Sequence, residues 1–213
     1  MAHLVCSGHT RDELTEILTK YRDCGVENIL ALRGDPPVAG RQAHQGELDW
    51  AIDLVELAKE LGEFCVAVAA HPEGHPESTS LDQDRRDLAA KLAVADFGIT
   101  QFFFKASYYW DMVETLGSLG VSKPVIPGIM PITSYGSIQK MAELSGAKIP
   151  PEIISRLERC KEREQDVVEL GIEIACELSQ ELLDQGAPGL HIFTMNLARS
   201  TREIFERLGL FTT

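Results

Sequence analysis

The chain has little of several things. Its five cysteines (Cys6, Cys24, Cys65, Cys160 and Cys176) among 213 residues are odd in number, widely spaced and free of any C-x-x-C pair. That spacing argues against a disulfide framework and a zinc knuckle, and leaves buried thiols as the expected reading. No apolar run approaches the ~20 residues of a membrane span. Met1-Ala2-His3 has neither the charged start nor the apolar stretch of a secretion signal, so the cytoplasm is the expected address. Basic residues are scarce: 20 Lys and Arg against 33 Asp and Glu give a formal charge of −13. Such a field opposes non-specific binding to nucleic acid or to anionic membrane, so an anionic cofactor needs a local pocket. No serine or cysteine sits in a nucleophile elbow, and neither G-x-G-x-x-G nor a P-loop occurs. Covalent catalysis and a Rossmann dinucleotide site lose support.

What the chain does have is 44% hydrophobic and 25% charged residues, the balance of one globular domain spanning residues 1–213. Short apolar runs alternate with longer stretches of helical period, the pattern of βα units around a parallel sheet. Six strands are expected: His3–Cys6, Asn28–Arg33, Phe64–Ala70, Phe97–Phe104, Pro124–Met130 and Leu190–Asn196. Their near-continuous apolarity fits strands covered on both faces. Thr10 and Glu13 form a capping-box pattern before a helix over Arg11–Cys24, with Gly25 as its stop. Further helices are expected over Glu47–Leu61, Leu81–Ala95, Tyr108–Leu119, Tyr135–Leu144, Pro151–Cys160, Glu162–Gln185 and Thr201–Leu208. The charges between Arg156 and Asp166 read as a solvated helix face. Six strands cannot close a (β/α)8 barrel, so two architectures stay open here: an open α/β sheet, or a barrel without its first two units.

In parallel α/β folds, functional residues gather at the carboxyl ends of strands. That rule selects Arg33-Gly34-Asp35-Pro36-Pro37, then His71-Pro72-Glu73-Gly74-His75-Pro76-Glu77-Ser78, then Gln101 within Thr100-Gln101-Phe102-Phe103-Phe104. Pro127-Gly128-Ile129-Met130-Pro131 and His191 to Asn196 follow. Each has a plainer reading. Asp35 before two prolines suits a turn, and Gln101 suits a satisfied core amide beside rings packed in the sheet. His71 and His75 have the spacing of a helical metal pair, but Pro72 and Pro76 oppose a regular helix, and no third ligand is evident.

Four segments, Asn28-Ile29-Leu30-Ala31-Leu32-Arg33-Gly34-Asp35, Ala69-Ala70-His71-Pro72-Glu73-Gly74-His75-Pro76, Ile99-Thr100-Gln101-Phe102-Phe103-Phe104 and Pro127-Gly128-Ile129-Met130-Pro131, together resemble methylenetetrahydrofolate reductase. The resemblance runs from His3-Leu4 to Leu208-Gly209-Leu210. It implies an α/β fold of the TIM (β/α)8 barrel family, here about six βα units, with the family's first two strands missing. It also implies bound FAD, and reduction of 5,10-methylenetetrahydrofolate to 5-methyltetrahydrofolate by NAD(P)H in one-carbon metabolism and methionine supply. No metal is implied.

By position, His3, Arg33, Gly34, Asp35, Ala51, His71, His75, Asp84, Asp87 and Lys91 match the family's flavin-contacting places. The resemblance makes Asp35 the catalytic carboxylate that stabilises positive charge on the folate iminium, and pairs Asp35 with Gln101 as substrate contacts. A ping-pong sequence and a homo-oligomer are further implications. The chain also departs from the family. The general-acid glutamate of a Phe-Glu-Phe-Phe-Pro-Pro type motif has no counterpart, and the spacing of Glu73 and Glu77 assigns neither to replace it. Ser137, Met141 and Leu197 stand where the family often has glutamine, phenylalanine and arginine, and Ala90 replaces a commonly basic residue. Two rival expectations follow: a catalytically silent fragment or partner subunit, and a barrel aldolase or metal hydrolase using His71, His75 and Asp35.

Overall fold

A computed structural model describes residues 1–34, 46–62 and 64–210. Asp35, the expected catalytic carboxylate, lies outside the described residues. Strands and helices alternate: β1 (Ala2–Val5), α1 (Arg11–Asp23), β2 (Asn28–Leu32), α2 (Ala51–Leu61), β3 (Cys65–Ala70), α3 (Leu81–Val94), β4 (Phe97–Phe102) and α4 (Ala106–Ser118). After β5 (Val125–Ile129) come three helices, α5 (Tyr135–Ser145), α6 (Pro151–Glu158) and α7 (Glu164–Asp184), then β6 (His191–Ile192) and α8 (Ala198–Arg207). The strand order in the sheet is β1-β2-β3-β4-β5-β6. The chain forms two compact units: Met1–Ala69 with Arg86–Gly98 and Leu119–Pro124, and Ala70–Arg85 with Ile99–Ser118 and Val125–Thr213.

In the first unit β1 pairs with β2 and β2 with β3, all parallel, with Leu4 opposite Ala31 and Leu30 opposite Ala67. Ile29, Ala31, Val66, Ala67 and Val68 are fully buried, as continuous apolar strands covered on both faces should be. Leu14 and Leu18 of α1 and Leu54, Val55 and Ala58 of α2 complete this core. The expected capping box is present. Glu13 N donates to Thr10 Oγ1 at 3.2 Å and Thr10 N donates back to Glu13 Oε2 at 2.9 Å.

Helix α2 starts at Ala51, four residues later than the sequence pattern suggests, because the preceding turn is held elsewhere. Glu47 N donates to His9 O at 3.0 Å, and Glu47 Oε2 accepts from Arg11 N at 2.8 Å. Asp53 then caps the true start by accepting from Trp50 N at 2.9 Å. A polar latch ties α2 to the end of α3: Asp96 Oδ2 accepts from Lys59 Nζ at 2.5 Å and from Val66 N at 2.7 Å.

The second unit holds an aromatic and aliphatic core of Phe102, Phe104, Met130, Ile132, Ile138, Ile153, Leu157, Val167 and Ile174. Phe103 stacks on Tyr109, whose hydroxyl donates to Val125 O at 2.7 Å. All three rings of the Phe102–Phe104 run are buried, in keeping with a packing role. Gly128 pairs with His191 and Ile129 with Ile192 in parallel register.

The last strand is much shorter than the expected Leu190–Asn196. Met195 and Asn196 take left-handed backbone (φ 49° and 59°), and Leu197 N donates to Thr194 O at 2.8 Å, so the chain turns instead of extending. The thiols also differ from expectation: Cys6 alone is buried, Cys24 is exposed at the end of α1, and all five are free. Arg156 pairs with Glu173 and Glu177, and Arg163 with Asp166, on the charged surface of α6 and α7. No helix among the described residues is long and apolar enough to cross a membrane.

Candidate functional site

In the second unit, the segment leaving β3 forms two successive turns, with Gly74 N donating to His71 O at 3.0 Å and Ser78 N donating to His75 O at 2.9 Å. Prolines 72 and 76 make turns the natural outcome here, as the sequence suggests. These turns bring the His71 and His75 rings edge to face, with centroids 4.6 Å apart. His75 Nδ1 accepts from Glu77 N at 3.1 Å. An accepting Nδ1 is unprotonated, so the neutral ring carries its proton on Nε2 and can donate from there.

His71, Glu73 and Gly74 line one side of a small cleft; Gln101 and Phe102 from β4 and residues Ser145, Gly146 and Ala147 line the rest. Gln101 Oε1 accepts from Phe102 N at 3.0 Å, which fixes the amide against its own strand. Both carboxylate oxygens of Glu73 accept from Lys148 N at 3.1 Å. Burial pushes the Glu73 carboxyl above its ordinary range, against the Lys148 N–H and charge.

Behind these turns sits a pair of which the sequence singled out only Asp84. Arg85 and Asp84, side by side at the start of α3, are 3% and 6% exposed. Arg85 donates to His71 O at 2.9 Å, to Pro72 O at 2.6 Å and to Asp84 Oδ2 at 2.7 Å. Asp84 Oδ1 accepts from His75 N at 2.8 Å and from Ser78 Oγ at 3.3 Å. Burial draws the Arg85 guanidinium below its ordinary range, and the Asp84 charge and hydrogen bond oppose that shift. No signal in a single sequence marks Arg85, one of two adjacent arginines in a charged helix start.

A second cavity in this unit lies at the ends of β5 and β6. Met130, Ile132, Met141, Phe193 and Leu197 form its apolar wall, with Ser134, Ser137 and Ser200 among its polar lining. Ser137, Met141 and Leu197, three of the four positions expected to depart from the family pattern, thus share one cavity, and Ala90 is not among its lining.

In the first unit, Arg33 and Gly34 follow β2. The Arg33 guanidinium lies 5.5 Å from the centre of the Trp50 ring, immediately before Ala51. Gly34 has φ +86°, and a Cβ there would sit 2.1 Å from Val5 Cγ1, so the position requires glycine on both counts. Lys91 Nζ donates to Ala69 O at 2.9 Å. His3 on β1 and Asp87 on α3 are exposed. The expected site residues therefore divide, with His3, Arg33, Gly34, Ala51, Asp87 and Lys91 in this unit and His71, His75, Asp84 and Gln101 in the other. Among the described residues no three histidine, cysteine or acidic side chains are grouped so as to hold a metal ion.

Parallel βα units with polar residues at the strand ends define an α/β protein of the (β/α)8-barrel class, represented here by six strands. The chain belongs to the methylenetetrahydrofolate reductase family, whose model matches residues 1–209. It is 38% identical over 215 residues to a Caenorhabditis elegans protein named "Probable methylenetetrahydrofolate reductase (NADPH)", covering 99% of this chain and 32% of that one. It is 35% identical to the 5,10-methylenetetrahydrofolate reductase of Salmonella typhimurium, covering 98% of this chain and 69% of that one. The chain thus spans about a third of the length of the nematode relative. Among solved structures, a Clostridium thermocellum protein that binds two copies of 5-methyl-5,6,7,8-tetrahydrofolic acid shares the fold, with a TM-score of 0.61 at 16% identity over 98% of this chain and 72% of that one.

Proposed function

We propose that this chain takes part in the reduction of 5,10-methylenetetrahydrofolate to 5-methyltetrahydrofolate by NAD(P)H, with FAD as the bound carrier. The observation that carries the reading is the cleft that His71 and Gln101 both line, within a chain matched to the reductase family over residues 1–209. The folate bound by the Clostridium protein of the same fold supports a folate substrate.

The donor chemistry suits the cofactor. His75 has a proton available on Nε2 for an anionic or carbonyl oxygen, because Nδ1 is occupied by Glu77 N. In the other unit, Arg33 lies over Trp50, a cation whose chemistry suits a phosphate in a chain of strongly negative charge. By resemblance His3, Gly34, Ala51, Asp87 and Lys91 add contacts there, and His71 adds one beside His75. When bound, FAD would take hydride from NAD(P)H and deliver it to the folate methylene carbon.

The remaining work belongs to the protein. Gln101 offers its amide to the pterin edge, and by resemblance Asp35 would supply the negative charge that stabilises the folate iminium. The cavity carrying Ser137, Met141 and Leu197 receives the nicotinamide nucleotide and the folate tail with neutral contacts in place of an arginine. The glutamate that protonates the folate in this family has no counterpart in these 213 residues. Flavin reduction needs no such acid and is the half-reaction that the residues present support best.

The test is to purify the chain, read bound flavin from its absorbance, and follow NAD(P)H oxidation with a quinone acceptor. Stoichiometric flavin and quinone-dependent oxidation are expected. A protein that neither retains nor binds added FAD overturns the reading.

A further inference from the structure

Arg85 is a buried cation to which the proposed reaction assigns no role. Two of its three hydrogen bonds go to consecutive carbonyls, His71 O and Pro72 O, where the chain leaves β3. The third goes to Asp84, whose other oxygen accepts from His75 N and Ser78 Oγ. One guanidinium and one carboxylate thus grip both ends of the His71–His75 segment from behind, while the two imidazoles meet at 4.6 Å. With its backbone held at His75 N, the ring stays within reach of Glu77 N, which occupies Nδ1 and leaves Nε2–H as donor.

We propose that Arg85 and Asp84 are positioning residues that act through the His71–Ser78 turns, presetting His75 as an Nε2–H donor to an anionic or carbonyl oxygen of a bound ligand. Asp84, which family resemblance places among flavin contacts, then serves the ligand through His75. The ligand's identity as FAD rests on the function proposed above, but the presetting is a property of the protein before any ligand binds. A guanidinium can fork between two carbonyls and a carboxylate, which an ammonium cannot reproduce. Removing Arg85 alone would strand the buried Asp84 charge, so the informative variant is Arg85→Met combined with Asp84→Asn.

The experiment is nitrogen-15 NMR of the histidine rings in ligand-free protein, alongside FAD titration. In the native protein the Nε2–H form of His75 dominates and the His75 amide hydrogen exchanges slowly. In the double variant the two tautomers mix and FAD affinity falls tenfold or more; Arg85→Lys restores neither. A folded double variant that keeps the native His75 tautomer and affinity overturns the proposal. Should the variant fail to fold, the native protein still decides: a His75 amide that exchanges as fast as an open loop, or a ring in the Nδ1–H form, overturns it too. If the His75 readouts hold but FAD does not bind, the function proposed above fails and the positioning stands.

Discussion

Gly171 in α7 runs so close to Ile132 that a Cβ at Gly171 would lie 1.8 Å from the Ile132 carbonyl oxygen. The helix backbone is seated directly against the segment leaving β5, which fixes one wall of the core that holds Met130 and Phe102. Gly171→Ala must push α7 outward and is expected to cost about 1–3 kcal/mol, read as a lower urea midpoint. Gly117 in α4 has nothing within 4 Å of its Cβ position, so Gly117→Ala should be neutral or stabilising by up to about 1 kcal/mol. Equal effects at the two sites would contradict this packing.

The Asp96 latch predicts a pH dependence. Burial raises the Asp96 carboxyl, but the hydrogen bonds from Lys59 and Val66 N and the nearby positive charges outweigh it and hold it below its usual range. A folded-state value below the unfolded one gives stability that is fully present above the unfolded value, near 3.8, and is lost as pH falls through the folded value. Native protein should therefore lose more stability than Asp96→Asn between pH 5 and 3, by urea denaturation at each pH. Parallel curves would show that the Asp96 latch does not stabilise the fold.

Trp50 is 59% exposed, and its ring faces the Arg33 guanidinium. If Arg33 meets a phosphate, the ring stiffens that cation, a contribution of about 0.5–1 kcal/mol at an exposed site. Trp50→Ala should weaken FAD binding about two- to fivefold and Trp50→Phe less, by fluorescence titration. Unchanged affinity in both would detach Arg33 from the cofactor.

His75→Ala removes the Nε2–H donor. A hydrogen bond to a charged oxygen contributes about 1.5–3 kcal/mol, so FAD should bind roughly ten- to a hundredfold more weakly. His75→Gln, which keeps a donor, should recover part of the loss. No recovery, with the fold intact by circular dichroism, would place the ring's importance elsewhere than donation.

Much of the architecture was legible because local chemistry and tertiary packing agree. Thr10 and Glu13 cap α1 as their spacing requires, and the apolar run from Val66 to Val68 is buried as a covered strand. The reading failed where long-range contacts decide. Residues 190–196 are apolar enough for a strand, yet Met195 and Asn196 take left-handed backbone and end it early. Glu47 looks like a helix start but is bonded to His9 and Arg11. At the site, sequence grouped His71 with His75 and singled out Gln101, and the structure sets His71 and Gln101 on one cleft. It could not reveal Arg85, whose role depends on which backbone carbonyls it meets.

The proposed function requires that FAD bound by this chain accept hydride from a nicotinamide nucleotide. The most direct measurement is anaerobic mixing of the FAD-reconstituted chain with NADH and, separately, NADPH, while flavin absorbance is followed. The proposed function predicts saturable bleaching by at least one of the two, slowed or weakened by His75→Ala. Flavin that remains oxidised at every concentration of both nucleotides, in a protein shown to have bound it, would contradict it.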